Sequence, residues 1–229
     1  MPDLACWPYL LGSLALHFGY QVFLLNSYKI GDLTQVYPVA RGIAPLIVAM
    51  VSVLFLNVIL GWQEVIAIVL IGTGLLSLGL VRGTNDSRNP KAVMLAAITG
   101  CFIAGYSLFD GLGARIAGTA IGFYGWSAIG NALIFAAFLR FKRPGTLSRL
   151  WGEGRFVLVV GGCASYCAYT LVVWGFMQAP IALVTTLRET SIIFALFIGV
   201  FFMKERLDLM KVIATFTTII GAVLLRFAL

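Results

Sequence analysis

The stretch LRETSIIFALFIGVFFMKER, residues 187–206, indicates the fold of this chain more clearly than any other part of it. Its long apolar run is followed by a cluster of charges, as expected where a membrane helix meets water. Arg188 and Glu189 precede the run. If a helix starts at Pro180, which suits a first turn, the pair lies about two turns in, roughly 12 Å along the axis. Ionisable side chains at that depth usually face a bundle interior or a wet cavity, so the stretch predicts a membrane helix with a polar inner face.

The composition is that of a membrane protein. Apolar residues make up 61% of the chain, charged residues 11%, and the mean hydropathy is +1.00, whereas soluble domains are about 45–50% apolar and about 25% charged. The net charge of +7 does not indicate nucleic acid, because the basic residues concentrate in short connections, as in cytoplasmic loops. The four cysteines lie in or beside apolar segments and are interpreted as small buried thiols rather than metal ligands. No metal or other cofactor is expected.

Eight apolar segments are long enough, or nearly so, for a bilayer span of about 20 residues. They are 7–29, 33–57, 62–81, 92–113, 118–140, 156–178, 181–203 and 208–227. The pattern predicts an all-α, polytopic transmembrane bundle of about eight helices. The first ten residues have no basic n-region and no small-residue cleavage site, so no cleavable signal peptide is expected. Connections after every second segment, beginning with the first, hold nearly all the basic residues, which predicts cytoplasmic loops there and both termini outside.

A weak internal repeat relates the two ends of the chain. At a constant offset Arg41 falls on Arg188, and the first three segments pair with the last three. Two related helices with an arginine at the same depth suggest a pore or binding site between the repeats. The predicted organisation is an incomplete first repeat at 1–81, a polar linker at 82–91 and a second repeat at 92–229. Segments four and five have no partners, so either the protein is asymmetric or two helices are missing upstream.

Three segments carry a resemblance to a known family. GDLTQVYPVARGIAP (31–45), GYSLFDGLGAR (105–115) and LRETSIIFALFIGVFFMKERL (187–207) resemble EamA-like members of the drug/metabolite transporter superfamily, in register and in order. The resemblance implies ten helices in two inverted five-helix repeats, of which this chain looks like helices three to ten, and export or exchange of small metabolites. One departure is that the acid that typically ends the fourth family helix is present as Glu205 in the second repeat but aligns with Val58 in the first. That difference weakens a role for the acid in both halves.

The second segment carries a candidate binding residue and two candidate hinges. Pro38 and Pro45 lie on about the same face as Arg41, and each proline frees a helix carbonyl one turn back. Such a helix is tolerated in a membrane only where it is buried or faces a cavity. Two interpretations of Arg41 follow. It binds an anionic substrate group at a hinge, or it extends to the lipid headgroups.

Further polar residues lie at helical spacing on several segments. Tyr37, Tyr106 and Asn131 join Arg41, Arg188 and Glu189 as candidate substrate-binding residues, and Glu189, Asp110 and His17 are candidates for proton coupling. His17, the only histidine, lies on one face with Ser13, Gln21 and Tyr28; it either relays protons, because imidazole changes charge near neutral pH, or is a hydrogen-bonded packing residue. Asp110 and Arg115 equally fit a simple glycine-rich turn. Tyr169 belongs to a similar face on the sixth segment.

Arg188 and Glu189 are adjacent in the chain, and the partners of their charged groups are a separate question. Neighbouring helical residues point about 100° apart, so Arg188 and Glu189 are not expected to neutralise each other, and each needs its own partner. Arg41 and His17 are both candidates for the partner of Glu189.

The predicted function is transport of small metabolites, such as amino acids or organic acids, by alternating access between two repeat-related bundles. One alternative is a truncated membrane protein that does not transport. A membrane-embedded enzyme is another, although a single histidine and scattered acids supply neither a clear nucleophile with its base nor a metal cluster. The expected partners are a small-molecule substrate, the lipid bilayer and a second copy in a homodimer, but not nucleic acid. The expected location is the cell membrane, with short loops favouring a bacterial inner membrane.

Overall fold

The described part of the protein is a bundle of helices. The computed structural model describes residues 3–31, 33–79 and 89–191, with positions 194, 213, 216–217, 219–221 and 223–224, and none of these is in a strand. The predicted all-α bundle is therefore confirmed. The helices are α1 Trp7–Ile30, α2 Leu33–Phe55, α3 Trp62–Gly79, α4 Pro90–Ala117, α5 Ala120–Lys142, α6 Thr146–Trp151, α7 Gly162–Gln178 and α8 Ile181–Arg188. A 3₁₀ turn, Leu4–Cys6, leads into α1, and a π-helical turn, Val157–Gly161, leads into α7.

Helix length and surface chemistry make this a multi-pass membrane protein. Five stretches within the described ranges are long and apolar enough to cross a bilayer: Leu4–Ile30, Val36–Phe55, Pro90–Ala117, Ala120–Lys142 and Val157–Gln178. A shorter apolar helix covers Trp62–Ser77. Many large apolar side chains on the outer faces are exposed, among them Leu133, Leu171 and Phe109. Helices that are apolar on all faces are typical of membrane spans, because lipid takes the place of a second packed layer.

Local sequence explains where the helices begin and end. The Asn89 side chain accepts hydrogen bonds from two N–H groups in the first turn of α4, and Pro90 occupies the first helical position. Gly118 ends α4 in the left-handed conformation, with φ of 67°, which costs glycine nothing. Thr119 then caps α5 through its side chain. Pro180 directly precedes α8, which confirms the predicted helix start.

Helix α4 lies in the middle of the bundle. It packs most extensively against α1 and α2, and it also contacts α5, α7 and α8. Small residues allow the close approach: a Cβ added to Gly100 would lie 2.9 Å from the carbonyl oxygen of Ala40 on α2. Close backbone contact of this kind is a main source of helix association in membranes, where lipid competes equally for apolar surface. Among the five stretches long enough to cross a bilayer, α4 has the largest buried share.

The first six predicted segments agree with the helices to within a few residues, with two additions. The short helix α6 was not predicted, because its six residues lie in a polar connection. The π-helical turn before α7 was not predicted either, since its sequence, VLVVG, is simply apolar. About half of the predicted segment 181–203, more than half of segment 208–227 and seven of the ten residues of the linker 82–91 fall outside the described residues. The division into repeats and the membrane orientation stay predictions.

The interpretation of the cysteines as buried thiols is wrong for three of the four. Cys6 is buried, but Cys101, Cys163 and Cys167 are exposed on the outside of the bundle. An apolar neighbourhood in the sequence does not distinguish a core-facing position from an outward-facing one when both surroundings are apolar.

Candidate functional site

A buried carboxylate lies between two arginines at the end of α8. Glu189 is 1% exposed. The Arg41 Nη1 atom on α2 donates to both of its oxygens at 3.3 and 3.2 Å, and Arg188 donates from Nε and Nη2 to Oε1, each at 3.3 Å. Two cations share one anion, so this cluster, which we call the arginine cluster, carries a net positive charge.

Helix α2 positions Arg41 toward this carboxylate. The guanidinium carbon lies 5.1 Å from the centre of the Tyr37 ring, one turn earlier on the same helix, which is a cation–π distance. Pro38 and Pro45 are both buried inside a helix that continues to Phe55. Arg41 therefore points inward to a protein partner, which favours the binding interpretation over extension to the headgroups. The hinge role of the prolines stays a prediction.

The expectation that Arg188 and Glu189 could not pair is wrong. The regular helix ends at Arg188, and the Glu189 N–H bonds to the Thr186 carbonyl three residues back, at 3.1 Å, as in a tighter turn. The long side chains also bend toward each other, so the 100° between their attachment points does not keep the charged groups apart. Of the two candidates for the partner of Glu189, the structure selects Arg41, while His17 has a different partner.

That partner is Asp110, the second buried carboxylate, which is 0% exposed. His17 Nε2 lies 3.0 Å from Oδ2, and the Tyr169 hydroxyl donates to the same oxygen at 2.7 Å. The Ser13 hydroxyl donates to Oδ1 and lies 3.1 Å from the hydroxyl of Ser127. We call this group the aspartate cluster. It ties together α1, α4, α5 and α7, so Asp110 is a central buried acid and not part of a simple turn.

Tyr106 packs against the aspartate cluster. Its ring stacks on His17 with centroids 4.0 Å apart and meets the edges of Tyr20 and Tyr169 at 5.5 and 6.0 Å. It is 6% exposed. The predicted residues therefore fall into two groups: Arg41, Arg188, Glu189 and Tyr37 meet at the arginine cluster, and His17, Asp110 and Tyr106 meet at the aspartate cluster.

Within the described residues, the amide oxygen of Asn131 accepts no hydrogen bond from either cluster. Its Oδ1 is buried and, within the described ranges, has no hydrogen-bond partner; the same is true of Oε1 of Gln21. A buried polar atom without a partner costs free energy, so both groups are suited to a ligand or water. The role of Asn131 in substrate binding stays a prediction.

Arg115 has a structural contact instead of a place in the site. Its Nε donates to the carbonyl of Phe176 and its Nη2 to the carbonyl of Ala179, both at 2.8 Å. These carbonyls lie at the end of α7, where helical partners run out. Arg115 thus fastens the α7–α8 corner to α4.

Sequence reasoning placed Ser13 and Tyr169 on polar helix faces without assigning them to Asp110, and it did not single out Ser127 as a partner of Ser13. Their separations from their partners in the chain range from 59 to 114 residues. Helical spacing shows which residues share a face, but it contains no information about which faces meet. No local signal could have identified these pairs.

The acidic groups of the two clusters are the carboxylates of Glu189 and Asp110. Across the part of the chain that the structure describes, no group of three or more histidine, cysteine or acidic side chains could hold a metal ion. Each of the two buried carboxylates already faces a cation or hydrogen-bond donors.

A family model and a curated relative that match this chain are both described as transporters. The model of the EamA-like transporter family matches residues 90–227, more than half of the chain. A relative, the probable magnesium transporter NIPA6 of Arabidopsis thaliana, is 28% identical over 140 residues, which are 61% of this chain and 36% of that protein. The chain thus spans about a third of the length of this curated relative. One solved crystal structure superposes with a TM-score of 0.76 at 19% identity, over 96% of this chain and 78% of the other, which shows the fold.

Proposed function

This chain belongs to the EamA-like transporter family, and on that premise we propose that it carries small organic anions or zwitterions, such as amino acids or organic acids, by alternating access. The family indicates a membrane transporter rather than an enzyme.

The observation that supports this substrate class is the arginine cluster. A guanidinium binds a carboxylate through two parallel hydrogen bonds, and here two guanidiniums from different helices converge on one buried carboxylate. The carboxylate of Glu189 stands where the carboxylate of a substrate would bind. Its bonds, 3.2 to 3.3 Å, are longer than the roughly 2.7–2.9 Å of strong charge-assisted bonds. A loosely held internal anion is suited to exchange with an external one.

Magnesium is the second candidate, and the name of the Arabidopsis relative favours it. Mg²⁺ prefers an octahedral shell of oxygen atoms, usually carboxylates and water. Glu189 supplies such oxygens, but two arginines within 3.3 Å would repel a divalent cation. The electrostatics of the arginine cluster therefore favour an anion.

The aspartate cluster is suited to proton coupling. His17 is 13% exposed at the side chain and contacts an acid that is fully buried, so a proton that reaches His17 has one adjacent acceptor. Tyr106 stacks on His17 at 4.0 Å. A proton gained by the aspartate cluster would change the charge of the bundle interior, and charge acts over several ångströms. Tyr37 would support Arg41, Asn131 would offer a hydrogen bond to the polar part of the substrate, and Pro38 and Pro45 would let α2 bend.

The test is uptake by proteoliposomes of labelled amino acids, organic acids and Mg²⁺. Arg41→Ala and Arg188→Ala should each lower uptake of the preferred acid about 30-fold or more, because truncating one partner of a buried charge pair costs about 2–5 kcal/mol. Arg140→Ala is the control, since Arg140 is exposed at the end of α5 and lies outside both clusters. Uptake of Mg²⁺ without uptake of any acid would reject the proposal in favour of the second candidate.

Short connections favour a bacterial inner membrane as the location, and a homodimer stays a prediction. Cell fractionation would test the location, and light scattering of the purified protein in detergent would test the homodimer.

A further inference from the structure

We propose that an anionic glycerophospholipid binds in a groove between the ends of α1 and α5, with its headgroup among three basic side chains and an acyl chain along an apolar wall. The inference does not depend on the proposed substrate, because the groove lies apart from both clusters.

The groove is large and its wall is apolar. It is a cavity of about 610 Å³ that opens at the bundle surface. Leu25 on α1 and Phe135, Phe138 and Leu139 on α5 form its apolar side. The rings of Phe135 and Phe138 stack with centroids 5.8 Å apart, which gives a flat surface against which a chain of methylene groups can lie.

One end of the groove is strongly basic. Lys29 at the end of α1 and Lys142 and Arg143 at the end of α5 contribute to the lining, all three are exposed, and none of the described lining residues is acidic. The Lys29 ammonium donates to Asn26 Oδ1 at 2.8 Å; since an ammonium has three donors, two stay available. The polar side chains of Asn26 and Thr146 lie beside these cations.

The order of the two surfaces matches a lipid rather than a soluble anion. The apolar wall belongs to the membrane spans, and the cations stand where the spans end. The next helix, α6, carries exposed Trp151, a residue type enriched at the membrane–water interface. Basic pockets between transmembrane helices on the cytoplasmic side bind anionic headgroups, and the basic bias of these connections predicts that side. A soluble phosphate would use the cations but leave the apolar wall without a partner.

The test measures lipid retained by the purified protein. Protein is equilibrated with mixed vesicles of phosphatidylglycerol and phosphatidylcholine, extracted in mild detergent and examined by native mass spectrometry. The parent should retain phosphatidylglycerol in preference to phosphatidylcholine. The variant Lys29→Gln/Lys142→Gln/Arg143→Gln should lose that preference about tenfold or more, because each basic side chain near an anionic headgroup contributes about a factor of five.

Two further variants distinguish lipid binding in the groove from general electrostatic attraction to the basic end of the bundle. Arg140→Gln/Arg149→Gln/Arg155→Gln removes the same charge from the same end of the bundle outside the groove and should keep the preference. Leu25→Trp fills the apolar part, leaves the charges intact and should reduce retention.

Equal losses in the two triple variants, or equal retention of both lipids by the parent, would overturn the proposal. So would displacement of phosphatidylglycerol by millimolar inorganic phosphate, which would identify a free-anion site.

Discussion

The two buried carboxylates of this bundle are held in different ways. Glu189 is bound by two guanidiniums through bonds of 3.2 to 3.3 Å. Asp110 accepts from a tyrosine at 2.7 Å, lies 3.0 Å from a histidine and accepts from a serine as well. Charge holds the first acid, while short hydrogen bonds from side chains of α1 and α7 hold the second.

The difference suggests different roles. Charge attraction acts in all directions and over several ångströms, so an incoming carboxylate can replace Glu189 without disturbing the arginines. A network of directed hydrogen bonds requires each donor to stay where it is, so the Asp110 carboxylate is held in one position by its neighbours. We therefore expect the arginine cluster to be the place where an anion exchanges and the aspartate cluster to keep its geometry while that happens.

Removing the charge at the first acid should have the largest effect on stability. Glu189→Leu leaves the partly buried guanidiniums of Arg41 and Arg188 without their anion, and it should lower the free energy of unfolding by about 3 kcal/mol, the lower end of the range for a broken buried pair. Denaturation of the purified protein in a fixed detergent would measure it. Glu153→Leu, at an exposed acid between α6 and α7, is the control and should change stability by less than about 0.5 kcal/mol. Similar losses in both variants would mean that the arginines do not depend on Glu189.

Removing one donor from the second acid should have an intermediate effect. Tyr169→Phe deletes the 2.7 Å bond to Asp110, and a hydrogen bond to a charged group contributes about 1.5–3 kcal/mol. The matched control is Tyr166→Phe, because Tyr166 lies one turn earlier on α7 and stacks on Tyr124 at 5.3 Å. The same denaturation assay compares them. If Tyr166→Phe lowers the free energy of unfolding as much as Tyr169→Phe does, the hydrogen bond to Asp110 contributes no more than the tyrosine hydroxyl of the control.

Removing an outer member of the aspartate cluster should have the smallest effect. Ser127→Ala deletes a neutral contact of 3.1 Å to Ser13, and the expected loss is about 0.5–1.5 kcal/mol. The control is Ser165→Ala, at an exposed position of α7, which should leave the free energy of unfolding unchanged. A loss larger than that of Tyr169→Phe would show that the cluster is organised around the serines and not around the acid.

The sequence predicts the spans well and the contacts between them poorly. Span boundaries follow from apolar length, which bilayer thickness fixes, and α8 begins directly after Pro180, as expected. The arginine pair could be predicted because the internal repeat sets Arg41 on Arg188. The partner of Glu189 could not be chosen, because the sequence does not show whether the helix that carries Arg41 or the helix that carries His17 packs against the end of α8.

Local rules also fail at helix ends. The pairing of Arg188 with Glu189 depends on a turn at Glu189 that departs from the regular helix, and helical spacing assumes that no such turn occurs. Helical spacing places Tyr169 on a polar face, but its hydrogen bond to Asp110 depends on how α4 and α7 pack. That packing is determined by small residues and by the Arg115 contact with the end of α7, which act only in the folded bundle.

The most direct test of the account is the dissociation constant of the best-transported acid for the parent and for Glu189→Gln. If the Glu189 carboxylate competes with substrate for the two arginines, its neutral amide should compete less, and the variant should bind the acid about tenfold more tightly, a gain of about 1.4 kcal/mol. Arg188→Ala, measured beside it, should bind weakly. Equal or weaker binding by a correctly folded Glu189→Gln would contradict the exchange of carboxylates at the arginine cluster.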